Sequence, residues 1–569
     1  MSASSSANEP SSTVDHLSDE VEQLRERMLG AGLEVLDRDG LELGAEALNY
    51  SRVFAHLEET HGVKVARASV HERIWASNDE FRRDVLAATI KILPTEVLGQ
   101  QGQLVRDLVA DQHRRGLGPL DRLAELSRFL APAGFELVAS RPGLARVQVA
   151  KAIAAPRSQP LLTDDLTVAL RERGDSVVDG LRVRLAELTS GFGLQPRRTV
   201  VTDAVATHEV LGVAAVNTFV GTFLDVASGA DEMCRPVAAR GVPVDAALPW
   251  TTIGLAMEAM FLLLFEPADG ADEGSPDIPV PEPPGPADPP PIDVGPRSGR
   301  RPRHKLRELV VGAGVEILLQ QRLDLRPESL RYAAVFDHLD RTRGERVYRS
   351  QIHRRIWDSQ DAFWLAVLER AVRIEPGLDP TTERRLAELA PPASDSAHHR
   401  LLAARDLIRT LTAAETAAHV ASPQFLRRQA VKAALLVDEP DDPGGYGALR
   451  RVLHDGQRAR LEAVADALRT HVLPLGHEVR PEAGMSEDDA LAAVATVAVT
   501  VSGGAVFDQA AGVEAVARTF PLRRSALLDD GTGEDPTDTA DGAGPSDEWT
   551  APGIATWALF HRLFRPEER

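Results

Sequence analysis

"HERIWASNDEF" at residues 71–81 of the sequence returns as "HRRIWDSQDAF" at residues 353–363, which lie 282 positions further along the chain. The match extends without a gap over residues 24–86 and 306–368, where thirty of 63 positions are identical. A repeat of this length and identity indicates that a whole folding unit has been duplicated within the chain.

A second pair of similar segments marks the end of each copy. "WTTIGLAMEAMFLLLFEP" at 250–267 and "WTAPGIATWALFHRLFRP" at 549–566 agree at nine of eighteen positions. Between the copies, ten prolines lie from Pro276 to Pro296, a composition typical of an extended linker. The predicted order is a disordered tail at 1–22, a helical unit at 23–91, a helical domain at 92–268, the linker at 269–300, a second unit at 301–371 and a second helical domain at 372–569.

Within each copy the spacing of apolar residues predicts helices. Leu24, Met28, Ala31 and Val35 fall on one helical face, and aromatic residues make up only 5% of the chain. The valine-rich segment at 486–510 has a composition compatible with a strand, but its length favours a helix. We therefore predict an all-α fold for both copies.

Composition and motifs disfavour several classes of protein. The start of the sequence lacks the basic and apolar segments of a secretory signal, and the longest apolar stretch, at 253–265, is too short to span a membrane. One cysteine excludes an internal disulfide framework and fits a reducing compartment. The sequence has no recognisable nucleotide-binding glycine loop or catalytic motif. We expect a cytoplasmic protein that is neither an enzyme nor a membrane protein and that uses no cofactor.

The repeated unit resembles the N-terminal DNA-binding domain of the TetR family. "LGAGLEVLDRDGLEL" at 29–43 is similar to the first helix of that domain, and "HGVKVARASVHERIW" at 61–75 is similar to its helix-turn-helix. "WASNDEFRRDVL" at 75–86 resembles the start of its fourth helix. The second copy supplies "RGERVYRSQIHRRIW" at 343–357 and "WDSQDAFWLAVL" at 357–368.

The resemblance implies that the two copies form a pair. In the TetR family, two subunits associate through their last two helices and place two recognition helices in successive turns of the DNA major groove. Two copies in one chain then imply a pseudo-dimer, with a helical regulatory and dimerisation domain in each copy and residues 250–266 against 549–565. The implied partners are double-stranded DNA with a pseudo-palindromic operator and a small-molecule effector. The implied activity is transcription regulation, with repression as the expected mode.

Basic and polar side chains surround both predicted recognition helices and are candidates for DNA contacts. Arginine and glutamine can bind base edges, whereas lysine and serine mostly bind phosphates. The alternative is a set of solvated charges on helix surfaces. The candidates on or just before the two helices are Lys64, Arg67, Ser69, His71 and Arg73 in the first copy, and Arg343, Arg346, Arg349, Gln351, His353 and Arg355 in the second.

The two copies differ in charge. Residues 1–86 contain nine basic and seventeen acidic side chains, a net charge of −8, whereas residues 297–368 contain fifteen and nine, a net charge of +6. Part of the difference lies in "RSGRRPRHKLR", whose Arg300, Arg301 and Arg303 are further candidates for phosphate or minor-groove contacts. The alternative is a solubilising end of the linker. We expect the first copy to bind DNA more weakly or to serve mainly as a pairing partner.

Composition alone suggests where an effector would bind. The candidates are Asn217, Phe219, Phe223, Met257 and Met260, although such apolar positions are more often core or interface residues than the lining of a pocket. For metals, His71 and His353 have no second ligand at helical spacing, and "HLEETH" at 56–61 does not have the spacing of a zinc-binding HExxH motif. No metal site is predicted.

The principal prediction is therefore a DNA-binding regulator built from two TetR-like copies. A different class of function is an interaction scaffold whose helix-turn-helix units no longer bind DNA, and the acidic charge of the first unit fits that class. A ligand-binding protein without a role in gene control is a third alternative. Binding to DNA separates the first class from the other two.

Overall fold

The computed structural model of the chain is predominantly helical, which confirms the predicted all-α class. Eighteen α-helices and four two-stranded antiparallel ribbons occur in the described residues. The structure describes residues 12–567, except for 40–47, 72, 92–106, 109–110, 113, 140–146, 149–150, 152–159, 198–199, 201–203, 247, 269–302, 321–329, 353–355, 374–377, 379, 390–395, 436–446, 514–517 and 524–545. The predicted linker lies outside the described residues.

The N-terminal unit of the first copy contains four helices. They are α1 (Ser12–Asp39), α2 (Tyr50–His61), α3 (Arg67–Val70) and α4 (Asn78–Lys91). Gly62 ends α2 in the left-handed conformation, with φ of 65°, and its N–H donates to the carbonyl of Glu58. A residue without a Cβ adopts this conformation most readily, so the turn between α2 and α3 depends on glycine.

Helix α1 begins earlier than the sequence predicts. The expected disordered tail covers 1–22, but the helix starts at Ser12. In the sequence, the apolar spacing of Leu24 and Met28 continues backwards through Val21. For residues 12–22 the prediction was wrong because the serine-rich start of the sequence obscures this spacing.

In the part of the first copy after α4 that the structure describes, there are four further helices and two small ribbons. The helices are α5 (Pro119–Ala139), α6 (Pro160–Gly191), α7 (Ala204–Ala227) and α8 (Thr252–Leu264). Strand β1 (Leu194–Pro196) pairs with β4 (Phe265–Pro267), and β2 (Pro236–Val237) pairs with β3 (Trp250–Thr251). The two ribbons therefore fix the two ends of α8. The Thr251 hydroxyl caps this helix by accepting the N–H of Gly254 at 3.2 Å.

The second copy repeats the four-helix unit and then adds six helices. They are α9 (Arg303–Gln320), α10 (Tyr332–Arg343), α11 (Arg349–Ile352), α12 (Gln360–Ala371), α13 (Pro380–Leu389), α14 (Ala397–Ala421), α15 (Pro423–Leu435), α16 (Gly447–Ala467), α17 (Glu487–Ala510) and α18 (Ala551–Leu563). Strand β5 (His477–Val479) pairs with β8 (Phe564–Pro566), and β6 (Thr519–Arg523) pairs with β7 (Ser546–Thr550). The valine-rich segment is α17, so its predicted helical structure is confirmed.

The two N-terminal units share their internal contacts. The Tyr50 hydroxyl donates to the carbonyl of Ser77 at 3.0 Å, and the Tyr332 hydroxyl donates to the carbonyl of Ser359 at 3.2 Å. In each unit a buried tryptophan meets a buried phenylalanine edge to face, with ring centroids 4.9 and 5.0 Å apart. The sequence repeat is therefore also a repeat of packing.

Four helices make the most extensive contacts between the two copies. Helix α7 crosses α17, and α8 packs against α18. At the crossing of α7 and α17, Gly221 faces the carbonyl of Thr500, and Gly504 faces the carbonyl of Asn217. A Cβ on either glycine would overlap that carbonyl, so both positions require glycine for this close approach. The closing segments, for which the sequence predicts a contact, lie side by side.

Two buried ion pairs connect the copies in opposite directions. Lys432 on α15 donates to Asp225 on α7 at 2.6 Å, and Lys151 of the first copy pairs with Asp508 on α17. The other carboxylate oxygen of Asp225 accepts a hydrogen bond from Gln457 on α16 at 2.9 Å. Each copy therefore neutralises a buried carboxylate of the other.

Two of the helices in this junction are long and apolar enough to cross a membrane. They are Ala206–Ala227, within α7, and Glu487–Ala510, which is α17. The sequence-based prediction that 253–265 is the longest apolar stretch is therefore wrong. The two longer helices were missed because single polar residues interrupt their apolar runs. Inside the protein, 83% and 94% of the two apolar windows are buried, as in the core helices of helical proteins.

Candidate nucleic-acid interface and inter-copy cavity

The predicted recognition helix of the first copy is a single turn. Helix α3 covers only Arg67–Val70, and His71 follows it with an extended backbone. His71 and Arg73, predicted to lie on or just before this helix, therefore lie after it. The chain leaves the helix here because Val70 and Trp75 are both buried, and the N–H of Trp75 donates to the carbonyl of Val70.

The DNA-contact candidates of the first copy differ in exposure. Lys64, Arg67 and Arg73 are exposed, whereas Ser69 and His71 are half-buried. The Lys64 ammonium lies 2.9 Å from the Glu58 carboxylate, and this hydrogen bond raises the pKa of Lys64. Because DNA phosphates would have to compete with Glu58, the net attraction at Lys64 is reduced.

The arginines before the second recognition helix are exposed as well. Arg343 pairs with Glu316, and Arg346 lies 3.5 Å from Asp340. Arg349 is exposed at the start of α11, and it has no ion pair among the residues that the structure describes. Its guanidinium is therefore the candidate of this copy that is most readily available to an anionic partner.

Several candidates of the second copy lie at the limits of the structure. Gln351 is within α11, and Arg303 is the first residue of α9. Arg300, Arg301, His353 and Arg355 lie outside the described residues. Their predicted DNA contacts stay predictions.

Tyr348 was not among the residues predicted from the sequence, although it lies between Arg346 and Arg349. Its side chain is 61% exposed, directly before α11. Tyrosine hydroxyls donate hydrogen bonds to DNA phosphates, so this position fits a nucleic-acid surface. The sequence contains a signal for this residue, because the second copy has a tyrosine at the position where the first copy has Ala66.

A carboxylate anchors the segment after α3 in the first copy only. The Trp75 indole N–H donates to the Asp84 carboxylate at 2.9 Å, and the Arg25 guanidinium donates to the same oxygen at 2.8 Å. The second copy has Ala366 at the position of Asp84, so it lacks this anchor. The two units therefore share a fold but differ in the side chain that meets this tryptophan position.

The carboxylate of Glu34 links α1 to the C-terminal half of α2 by hydrogen bonds. Its Oε2 lies 2.6 Å from Nε2 of His56 and 2.9 Å from Nε2 of His61. The hydrogen bonds, first that of His56 and then that of His61, hold the pKa of Glu34 below its usual range. No sequence motif signals this cluster, because Glu34 and His56 are on different helices and only the fold brings them together.

The five predicted effector contacts pack between helices. Asn217, Phe223 and Met260 are buried, and Phe219 and Met257 are half-buried. The backbone of Asn217 lies against Gly504 at the crossing of α7 and α17. None of the five lines the cavity described next, so the structure favours the packing role that composition left open.

A cavity of about 340 Å³ lies at the junction, between α8 and α18. Four arginines, from both copies, contribute to its wall together with two carboxylates. The buried carboxylate of Glu258 pairs with Arg240, and Nε of Arg562 lies 3.8 Å from it. The cationic side chains outnumber the anionic ones, so the cavity favours an anionic occupant.

Two of these arginines, Arg197 and Arg480, have equivalent places in the two copies. The N–H of Arg197 donates to the carbonyl of Leu264 at 2.9 Å, and that of Arg480 donates to the carbonyl of Leu563 at 2.8 Å. Their Nε atoms donate to the carbonyl of the next residue, at 3.1 and 3.0 Å. Both guanidinium groups are therefore oriented by the ends of the closing helices.

Known proteins show no detectable similarity to this chain. Neither models of protein families, nor curated proteins, nor solved structures gave a match. The comparisons therefore assign neither a family nor an activity.

Proposed function

We propose that the protein is a cytoplasmic, TetR-like transcription regulator in which two helix-turn-helix units of one chain bind a pseudo-palindromic operator. The observation that carries the proposal is the repeat of α1–α4 as α9–α12, combined with the junction of α7 and α8 with α17 and α18. This combination matches what a pseudo-dimer requires: two equivalent DNA-binding units attached to one shared core. Half-sites would be about 34–36 Å apart, one helical turn of DNA.

The two units are proposed to contribute unequally. Exposed Arg346, Tyr348 and Arg349 surround the start of α11, and residues 297–368 have a net charge of +6. Around α3, Lys64 is engaged by Glu58, and residues 1–86 have a net charge of −8. Because phosphate attraction dominates the affinity for DNA, the second copy is proposed as the stronger reader.

Regulation by a small molecule is part of the proposal, with repression as the mode. The cavity between α8 and α18 has the chemistry for a carboxylate- or phosphate-bearing effector, since guanidinium groups bind both in bidentate fashion. An occupant there would contact both closing helices. A change in their packing would alter the separation of the two units and weaken binding to the operator.

The alternative, an interaction scaffold without DNA binding, is favoured by one observation. Lys64, Arg343 and Arg346 are each within ion-pair distance of a carboxylate of the same unit. Such side chains can serve as solvated surface charges that stabilise the unit rather than bind a partner. The two proposals differ in a single property, the affinity for double-stranded DNA.

Selection of bound fragments from a genomic library, followed by mobility-shift titration at several salt concentrations, tests the proposal. Arg349→Ala should weaken operator binding by about 1–3 kcal/mol if the guanidinium makes a bidentate base contact. The matched change Arg67→Ala should weaken it less. Arg458→Ala, on the exposed face of α16, serves as the control. Failure to select any fragment would favour the scaffold, and equal losses at Arg67 and Arg349 would show two equivalent readers.

A further inference from the structure

The cluster of Glu34, His56 and His61 has the composition of a metal site. One oxygen of Glu34 and one nitrogen of each histidine lie within 4.8 Å of one another. Imidazole nitrogen and carboxylate oxygen are ligands that Zn²⁺ prefers, and three such ligands leave a fourth tetrahedral position for water. The same atoms also satisfy a simple hydrogen-bonded cluster, so the composition alone does not decide.

The second copy provides the comparison that separates these roles. Glu316 and His338 repeat the first two positions, with Nε2 of His338 2.8 Å from Oε2 of Glu316. Arg343 takes the third position, and its guanidinium pairs with the other oxygen of Glu316. A guanidinium fills the link between helices but has no lone pair for a metal. The second copy therefore keeps the hydrogen-bonded link between α9 and α10 but has no third ligand for an ion.

The first copy has features that a hydrogen-bonded link between the two helices does not require. Its third position is an imidazole, and Oγ1 of Thr60 lies 3.3 Å from Nδ1 of His56. When an ion is bound, a proton on Nδ1 donated to Thr60 would leave the lone pair of His56 Nε2 available to the metal. In the second copy the matching Thr342 hydroxyl donates to the backbone carbonyl of His338 instead, at 2.7 Å.

We propose that Glu34, His56 and His61 form a binding site for one divalent transition-metal ion, with Zn²⁺ as the best-matched species. Metal–ligand bonds of about 2.0–2.2 Å place tetrahedral ligand atoms roughly 3.3 Å apart. The observed Glu–His separations of 2.6 and 2.9 Å must open by about half an ångström. Glu34 and His61 can move by this amount because their side chains are 45% and 44% exposed, whereas His56 is fixed by burial.

The ion would tie α1 to the end of α2, directly before the Gly62 turn that leads into α3. Occupancy of the site would then hold the first helix-turn-helix unit in one geometry. Metal binding at this site does not depend on the proposed function. The protein could bind the ion without binding DNA, and it could bind DNA without binding the ion.

The two copies supply their own matched variants for the test. The full-length protein, stripped of metal with a chelator, is titrated with Zn²⁺ in a calorimeter and with Co²⁺ by visible absorption. The wild-type chain should bind one ion at this site, with the intense visible bands of a tetrahedral cobalt complex. His61→Arg, which imitates the second copy, should retain the helical circular dichroism and weaken binding by a hundredfold or more, on the order of a lost ligand.

The reciprocal variant makes the test independent of any damage to the first unit. Arg343→His should create a second site from Glu316, His338 and the new imidazole, so that two ions bind per chain. His71→Ala, at a histidine outside the cluster, should leave the stoichiometry and the affinity unchanged. Wild-type protein without binding, binding that survives His61→Arg, or no gain from Arg343→His would each overturn the assignment.

Discussion

The buried pair of Asp225 and Lys432 should be strongly coupled in stability. Lys432 is fully buried, and burial lowers its pKa to about 8, so most of it is charged at pH 7. Asp225→Ala leaves this ammonium with only the Gln457 side-chain oxygen, at 3.1 Å. It also removes the acceptor of the Thr500 hydroxyl, which donates to Asp225 at 2.6 Å. We expect a loss of about 3–5 kcal/mol in the free energy of unfolding.

A double-mutant cycle measures the coupling free energy between Asp225 and Lys432. Lys432→Met alone leaves a buried carboxylate without its cation and should cost a similar amount. The double variant Asp225→Ala/Lys432→Met buries no charge here, so its cost should be close to that of one single change. Denaturant unfolding followed by the fluorescence of the buried tryptophans gives the four free energies. Additive losses would refute the coupling.

The same pair predicts a dependence on pH. The pKa of Lys432 is about 8 in the fold and 10.5 in the unfolded chain, so the unfolded chain binds more protons between these values. The free energy of unfolding should therefore rise with pH across this window, by at most roughly 3 kcal/mol from this group. Lys432→Met should lack that rise. As a surface control, Glu462→Ala breaks the exposed ion pair with Arg458 and should cost less than about 1 kcal/mol at any pH.

Three further changes address the junction, the turn and the DNA surface. Gly221→Ala should destabilise the protein by about 1–3 kcal/mol in thermal unfolding, because the new Cβ overlaps a carbonyl of α17; Gly30→Ala, which meets no atom within 4 Å, should not. Gly62→Ala should cost about 1–2 kcal/mol in the same assay, since φ of 65° disfavours any Cβ. Tyr348→Ala should weaken DNA binding about tenfold in mobility shifts through loss of a phosphate contact, and unchanged affinity would remove it from the surface.

Local patterns in the sequence were sufficient to predict the helices that the two copies share. The helices and their apolar faces depend on residues within one or two helical turns, so the spacing of apolar residues reveals them. At the start of α4, the same short range applies to Ser77 Oγ, which accepts the N–H of Glu80 at 3.2 Å. The match between the closing segments also indicated which helices would meet, because the duplication identifies equivalent surfaces.

Other features depend on contacts between distant segments and could not be read from spacing. The end of α3 at Val70 is set by burial of Trp75, and helical periodicity continues past it. Asn217 and Phe223 have the composition of a ligand pocket, but Asn217 lies where the glycines of α7 and α17 bring the two helix backbones into contact. The arginine-lined cavity requires side chains from 197 to 562, which only the completed junction places together.

The reciprocal ion pairs have a consequence for the order of folding. Helix α17 follows α7 by about 260 residues, which corresponds to roughly ten to fifty seconds of synthesis. During that interval the apolar face of α7 and the carboxylate of Asp225 have no native cover, and the same is true of Lys151. The first copy therefore cannot complete its native packing until its counterpart has been synthesised. We expect residues 1–268 expressed alone to aggregate and residues 1–268 expressed together with 301–569 to remain in solution.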